Sequence, residues 1–170
     1  HMLALVDGVP RLLNLASALQ VYIHHQVEVV TRRSEFRLKK KRERAHIVEG
    51  LIRALDMIDA IIAHIRGSED AATAKAGLMA KPFEFSEIQA GHILDMQLRK
   101  LAQLEGQELR DEFAELSAAI AELESILNEP EKLRTVIKDE LAAVREKFAS
   151  ERRTRITFDS GDIDVLDLIE

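Results

Sequence analysis

The stretch LRDEFAELSAAIAELESIL, Leu109 to Leu127, sets the reading of the chain. Leu109, Phe113, Leu116, Ile120, Leu123 and Leu127 follow at alternating steps of four and three, which puts them on one narrow apolar stripe of a helix. Such a stripe is half of a coiled-coil seam and needs a second helix to cover it. An earlier stretch offers the partner: Ser34, Leu38, Lys41, Ala45, Val48, Ile52 and Leu55 alternate in the same way, polar members first and apolar ones later. The charges also match. Arg32 to Arg44 holds eight Lys/Arg against two Glu, whereas Glu105 to Glu146 holds twelve acids against five bases. Oppositely charged helices joined by a connection between them predict antiparallel pairing.

Composition supports a long helical object. Of 170 residues 32% are charged and 4% aromatic, with three prolines and one tyrosine. Cysteine is absent, which excludes disulfides and thiolate metal sites and makes a cytoplasmic setting the default expectation. No apolar run reaches the ~18 residues of a membrane span, so no membrane partner is expected. The opening His1-Met2 reads as a tag remnant, so the chain is expected to be part of a longer one.

Outward from the seam, LALV, Asp7-Gly8 and VPRLL read as a hairpin, with Pro10 consigning the second strand to an edge. Two strands are marginal alone, so the hairpin expects a neighbour; RTRITF, ending in Phe158, is a candidate. Asn14 or Ser17 caps a helix that no proline interrupts before Gly67-Ser68. Ser68-Glu69-Asp70 opens a short helix that Lys81-Pro82 ends, with Gly77 helping to keep it short. Ser86 to Gln89 has the form of a capping box. In HILDMQLRKLAQLEGQEL, His92 to Leu109, the step from Leu104 to Leu109 breaks the helical beat, which predicts a corner around Leu104 to Gly106. Asn128-Glu129-Pro130 breaks the return helix, and Pro130 starts another carrying Leu133, Ile137, Leu141, Val144 and Phe148.

The fold class that follows is mainly α: a long antiparallel two-helix coiled coil with a small helical globular tip and a short β-hairpin at the base. The expected divisions are a hairpin over 1–14, an outgoing helix over 15–56, a tip over 57–104, a return helix over 105–150 and a base strand with linker over 151–170. An arm of about 35 residues would run roughly 50 Å. The apolar excess gathers in the tip, which is small for an isolated core, so a second copy is expected to cover it. Met79, Phe83, Ile88, His92 and Met96 are the side chains expected at that contact.

Chemistry is sparse. Glu43-Arg44-Ala45-His46 is one E-x-x-H, but a di-metal bundle needs two, plus two more glutamates. His24 and His25 point about 100° apart on a helix, a poor chelate. His64 and His92 read as packed or interfacial, and Tyr22 as a half-buried packing residue. There is no phosphate-cradling glycine loop and no nucleophile elbow. The expectation is a piece without catalytic residues, metal or cofactor of its own. The basic run TRRSEFRLKKKRERAH reads first as the face that attracts the acidic return helix. Its other reading is contact with DNA phosphates through Arg32, Arg33, Lys39, Lys40 and Lys41, non-specific because no base-reading geometry or stacking aromatic is evident.

Several blocks together resemble the A subunits of bacterial type IIA topoisomerases, DNA gyrase and topoisomerase IV. They are MLALVDGVPRLLNL, VEVVTRR, RERAHIVEGLIRAL, EIQAGHILDMQLRKLAQLE, RRTRI and DIDVLDLIE. The resemblance implies an enzyme that cleaves both strands of one duplex and passes another through, using ATP and Mg held by other domains and a partner B subunit. The matching region would be the coiled-coil arm and the homodimeric exit gate at its end. The family's catalytic tyrosine motif has no counterpart, since QVYIHH around Tyr22 does not match it. The tail DIDVLDLIE is more similar to gyrase than to topoisomerase IV. A protein-binding chaperone or scaffold arm without a DNA role is the rival reading.

Overall fold

The computed structural model describes residues 2–96 and 106–154, and the chain divides into two compact units, 1–137 and 138–170. In the first unit, β1 (Met2–Val6) and β2 (Val9–Leu13) form a two-stranded antiparallel sheet with Val6 opposite Val9 and Leu5 opposite Pro10. The turn is the one the Asp-Gly pair demands: Asp7 and Gly8 both have positive φ, 53° and 75°. Leu3, Leu5 and Leu12 are exposed on the hairpin. Phe158, the end of the segment expected to pair with it, lies outside the described residues.

Asn14 caps α1 (Leu15–Asp56), its side chain accepting from the Ser17 amide at 2.8 Å. The helix ends at Asp56, eleven residues before Gly67, where the sequence puts its stop. Met57, at φ −122° and ψ 26°, breaks it, and α2 (Ile58–Gly67) leaves in a new direction. The break has a packing reason: it brings Ile61 into the same core as Val48, Leu51 and Ala54. Asp70 then caps α3 (Ala71–Met79), and Ser86 caps α4 (Glu87–Asp95) with both halves of the capping box formed. The expected corner at Leu104 lies outside the described residues.

The return helix α5 (Gly106–Asn128) lies against α1, and Pro130 opens α6 (Pro130–Phe148) as its sequence position predicts. One hydrophobic cluster joins the end of the arm to the tip, drawing Ala45, Val48, Leu51 and Ala54 from α1 and Leu109 and Leu116 from α5. The tip contributes Ile61, Leu78, Phe83, Phe85, Ala90 and Ile93. Both arm helices thus close much of the tip's core within the chain.

The second unit is described from Lys138 to Thr154. It contains the latter part of α6, where Val144 and Phe148 are exposed and Leu141 is half-buried. The last described residues, 149–154, form neither helix nor strand.

Candidate functional site

The arm's polarity is written in its flanks. Numbering the seam so that Ala45 and Ile52 take position a, and Phe113 and Ile120 take a in the partner, places Arg42, Asp56, Arg110 and Glu124 at e, and Arg44 and Glu112 at g. When two helices run in opposite directions, e faces e and g faces g. The ion pairs are Arg42 with Glu124, Arg110 with Asp56, and Arg44 with Glu112. All three join like positions, which is the antiparallel signature. Arg44 grips Glu112 with two bonds, 2.7 Å from Nε and 2.9 Å from Nη2. The hydrogen bond from Arg44 holds the Glu112 carboxyl below its ordinary range, and the same bond raises the Arg44 guanidinium.

Pairing consumes part of the basic run. Arg32 is tied to Glu28 and Lys40 to Glu43, while Arg33 is half-buried and engaged. Lys39 and Lys41 form no ion pair among the described residues, although Lys41 adds a weaker charge effect at Glu112. Lys41, a seam member by spacing, is exposed. Phe36 stands 62% exposed in the same run. The sequence reading missed this aromatic, whose signal was its distance of two residues from both Ser34 and Leu38, on the helix face opposite the seam.

At the tip the five expected contact residues separate. Ile88 is 64% exposed and Met79 43%; His92 and Met96 are half-buried; Phe83 is only 6% exposed. Phe83 is used inside the chain, where its ring meets His64 at 5.6 Å and its carbonyl accepts from Arg53 at 2.7 Å. Arg53 also lies 4.8 Å over the Phe85 ring. His64 is packed, not free: a Cβ on Gly77 would lie 2.1 Å from its ring. Gly77 is therefore there to admit a ring, where the sequence suggested only a helix shortener.

A polar cluster joins tip to arm. His46 Nε2 lies 2.7 Å from Ser86 Oγ, and Gln89, 3% exposed, donates from Nε2 to the His46 carbonyl at 2.8 Å. Gly50 makes room, since a Cβ there would meet Gln89 Cγ at 2.7 Å. Glu43 faces Lys40 while His46 faces Ser86, so the E-x-x-H pair is divided between two partners. His24, His25, Asp7 and Glu28 line an open cleft of about 450 Å³ between the hairpin turn and α1. Tyr22 keeps 47% of its surface. Among the described residues no three His, Asp or Glu side chains converge on a metal-sized site, and no helix is long and apolar enough to cross a membrane.

The sequence model of the DNA gyrase/topoisomerase IV family, that of its A subunits, matches residues 1–142. The chain belongs to that family. The DNA gyrase A protein of Mycobacterium bovis is 49% identical over 169 residues, covering 99% of this chain and 20% of the relative. The Streptomyces coelicolor protein of the same name is 48% identical over 169 residues, at 99% and 20% coverage. That of Haloquadratum walsbyi is 45% identical over 180 residues, at 98% and 21%. The chain thus spans about a fifth of the length of these gyrase A relatives.

Proposed function

We propose that this chain is the arm and exit gate of a gyrase-type A protein: two tips meet in a homodimer, and the arms enclose the space through which a transported duplex leaves. The observation that carries the reading is an arm paired e to e and g to g, ending in a closed core that still exposes Ile88 and Met79. A core that is closed within the chain suits a gate, because each half must survive the opened state with little newly exposed apolar surface. An interface of modest area with an apolar centre can then part and re-form. The basic run of Arg32, Arg33, Lys39, Lys40 and Lys41, spread around α1, supplies weak attraction for the phosphates of the passing duplex.

In the whole enzyme, DNA cleavage, ATP and Mg belong to other domains and to the B subunit, in the cytoplasm. Its glycines are dispersed, and among the described residues no three His, Asp or Glu side chains gather as a metal site would need. The supercoiling step is accordingly assigned nothing here beyond gating.

Sedimentation of the chain at tens of micromolar tests the gate: a dimer is expected for the native sequence and a monomer for the Ile88→Glu, Met79→Glu double variant. A native monomer at that concentration overturns the reading. Duplex binding that weakens steeply with salt, and weakens further when Lys39, Lys40 and Lys41 become Gln, is expected for the DNA face. Salt-insensitive or absent binding assigns the basic run to the return helix alone.

A further inference from the structure

The strongest unexplained feature is the His46, Ser86 and Gln89 cluster, whose hydrogen bonds admit only one protonation state. Gln89 is fixed in orientation: Oε1 accepts from the Ser86 amide at 3.1 Å, and Nε2 donates to the His46 carbonyl at 2.8 Å. Turning the amide over would set NH₂ against the Ser86 N–H and oxygen against a carbonyl. The remaining hydrogen of Nε2 therefore faces His46 Nδ1 at 3.5 Å, so Nδ1 must carry a lone pair. The imidazole proton then sits on Nε2 and donates to Ser86 Oγ at 2.7 Å, while Oγ also accepts from the Gln89 backbone N–H at 3.2 Å. A second proton, on Nδ1, would place N–H against the N–H of Gln89, a residue that is 3% exposed.

We infer that this cluster is a proton-sensitive latch between arm and tip, closed while His46 is neutral and released when it is protonated. Gly50 is part of the device, because only its missing Cβ lets Gln89 seat against α1. The charged groups around His46 are few. From α1, Arg42 and Glu49 line the same open groove, and from α5 Glu124 does so. Glu124 is committed to Arg42. From α4 and its cap only Ser86 and Gln89 touch the ring, both uncharged, and neighbouring Glu87 is paired with Lys75 at 3.0 Å. Glu49, three residues along the helix, is left to receive an imidazolium that swings out of the latch. The sign follows: the latched state binds one proton fewer than the released state, so the latch is present at higher pH and lost on acidification. The inference does not depend on dimerisation or DNA.

The test is amide hydrogen exchange at Gln89 and Ala90 in the full chain, corrected for intrinsic rates, between pH 7.5 and 5.5. Protection in the native sequence is expected to fall about tenfold, as loss of a charge-incompatible hydrogen bond requires. His46→Gln, which can still donate to Ser86 but cannot titrate, should be flat. Flat native protection overturns the latch, as does a His46→Gln slope equal to the native one. Should His46→Gln fail to fold, His46→Asn, which also cannot titrate, takes its place: a slope equal to the native one overturns the inference.

Discussion

The arm and the tip are held by different physics. Along the arm each helix has one neighbour and one apolar stripe, and its remaining faces meet water, so charge on the two flanks does much of the specifying. At the tip, Ile61, Leu78 and Ile93, all under 2% exposed, share one core with the loop 80–86 and with both arm helices. A seam is cheap to bend and to re-register; a closed core resists both. In the proposed gate, a stiff head on a compliant stem would let the stem move without unfolding the head.

The largest expected effect lies in the head. Ile61→Ala or Leu78→Ala should cost about 3 kcal/mol in denaturant unfolding, because the cavity is enclosed on all sides. A loss no larger than that at the arm would dissolve the contrast. Next come the two close approaches: Gly77→Ala and Gly50→Ala drive a methyl into the His64 ring and the Gln89 side chain, and each should lower stability by about 1–2 kcal/mol despite better helix propensity. A thermal shift upward in either would show that the neighbour yields freely.

On the arm, Leu38→Ala removes a seam member that has one facing helix and room to relax, and about 1.5 kcal/mol is expected. Hydrogen exchange should localise the weakening to α1 and leave the tip amides protected. Smallest of all is Glu112→Gln, worth a few tenths of a kcal/mol because the pair is substantially exposed to solvent. Its pH signature is definite nonetheless. Arg44 depresses the folded-state value, so the contribution is present above the unfolded carboxyl's ~4.3 and lost as pH falls through the folded value. The native and variant stability curves should therefore converge in acid.

Much of this contrast could be read in advance where local rules govern. Asp7-Gly8 forces its turn, Asn14 and Ser86 cap their helices, and the alternating steps of four and three find each other. What could not be read depended on neighbours distant in the chain. Gly77 looked like a helix shortener, because nothing beside it in the sequence reveals His64, and nothing beside Gly50 reveals Gln89. Phe83 looked like a sticky surface residue until Arg53 and His64 enclosed it. His46 looked like half of a metal motif until Ser86, forty residues away, took its ring nitrogen.

By itself the sequence determined the helices, their caps, the hairpin turn and the direction in which the arm doubles back, because periodicity and charge order act along the chain. Only the tertiary structure decided which tip residues are spent inside and which stay outside, and which polar groups join arm to tip. Those outcomes depend on which side chains fill a shared volume, and a volume is defined only when separate segments meet.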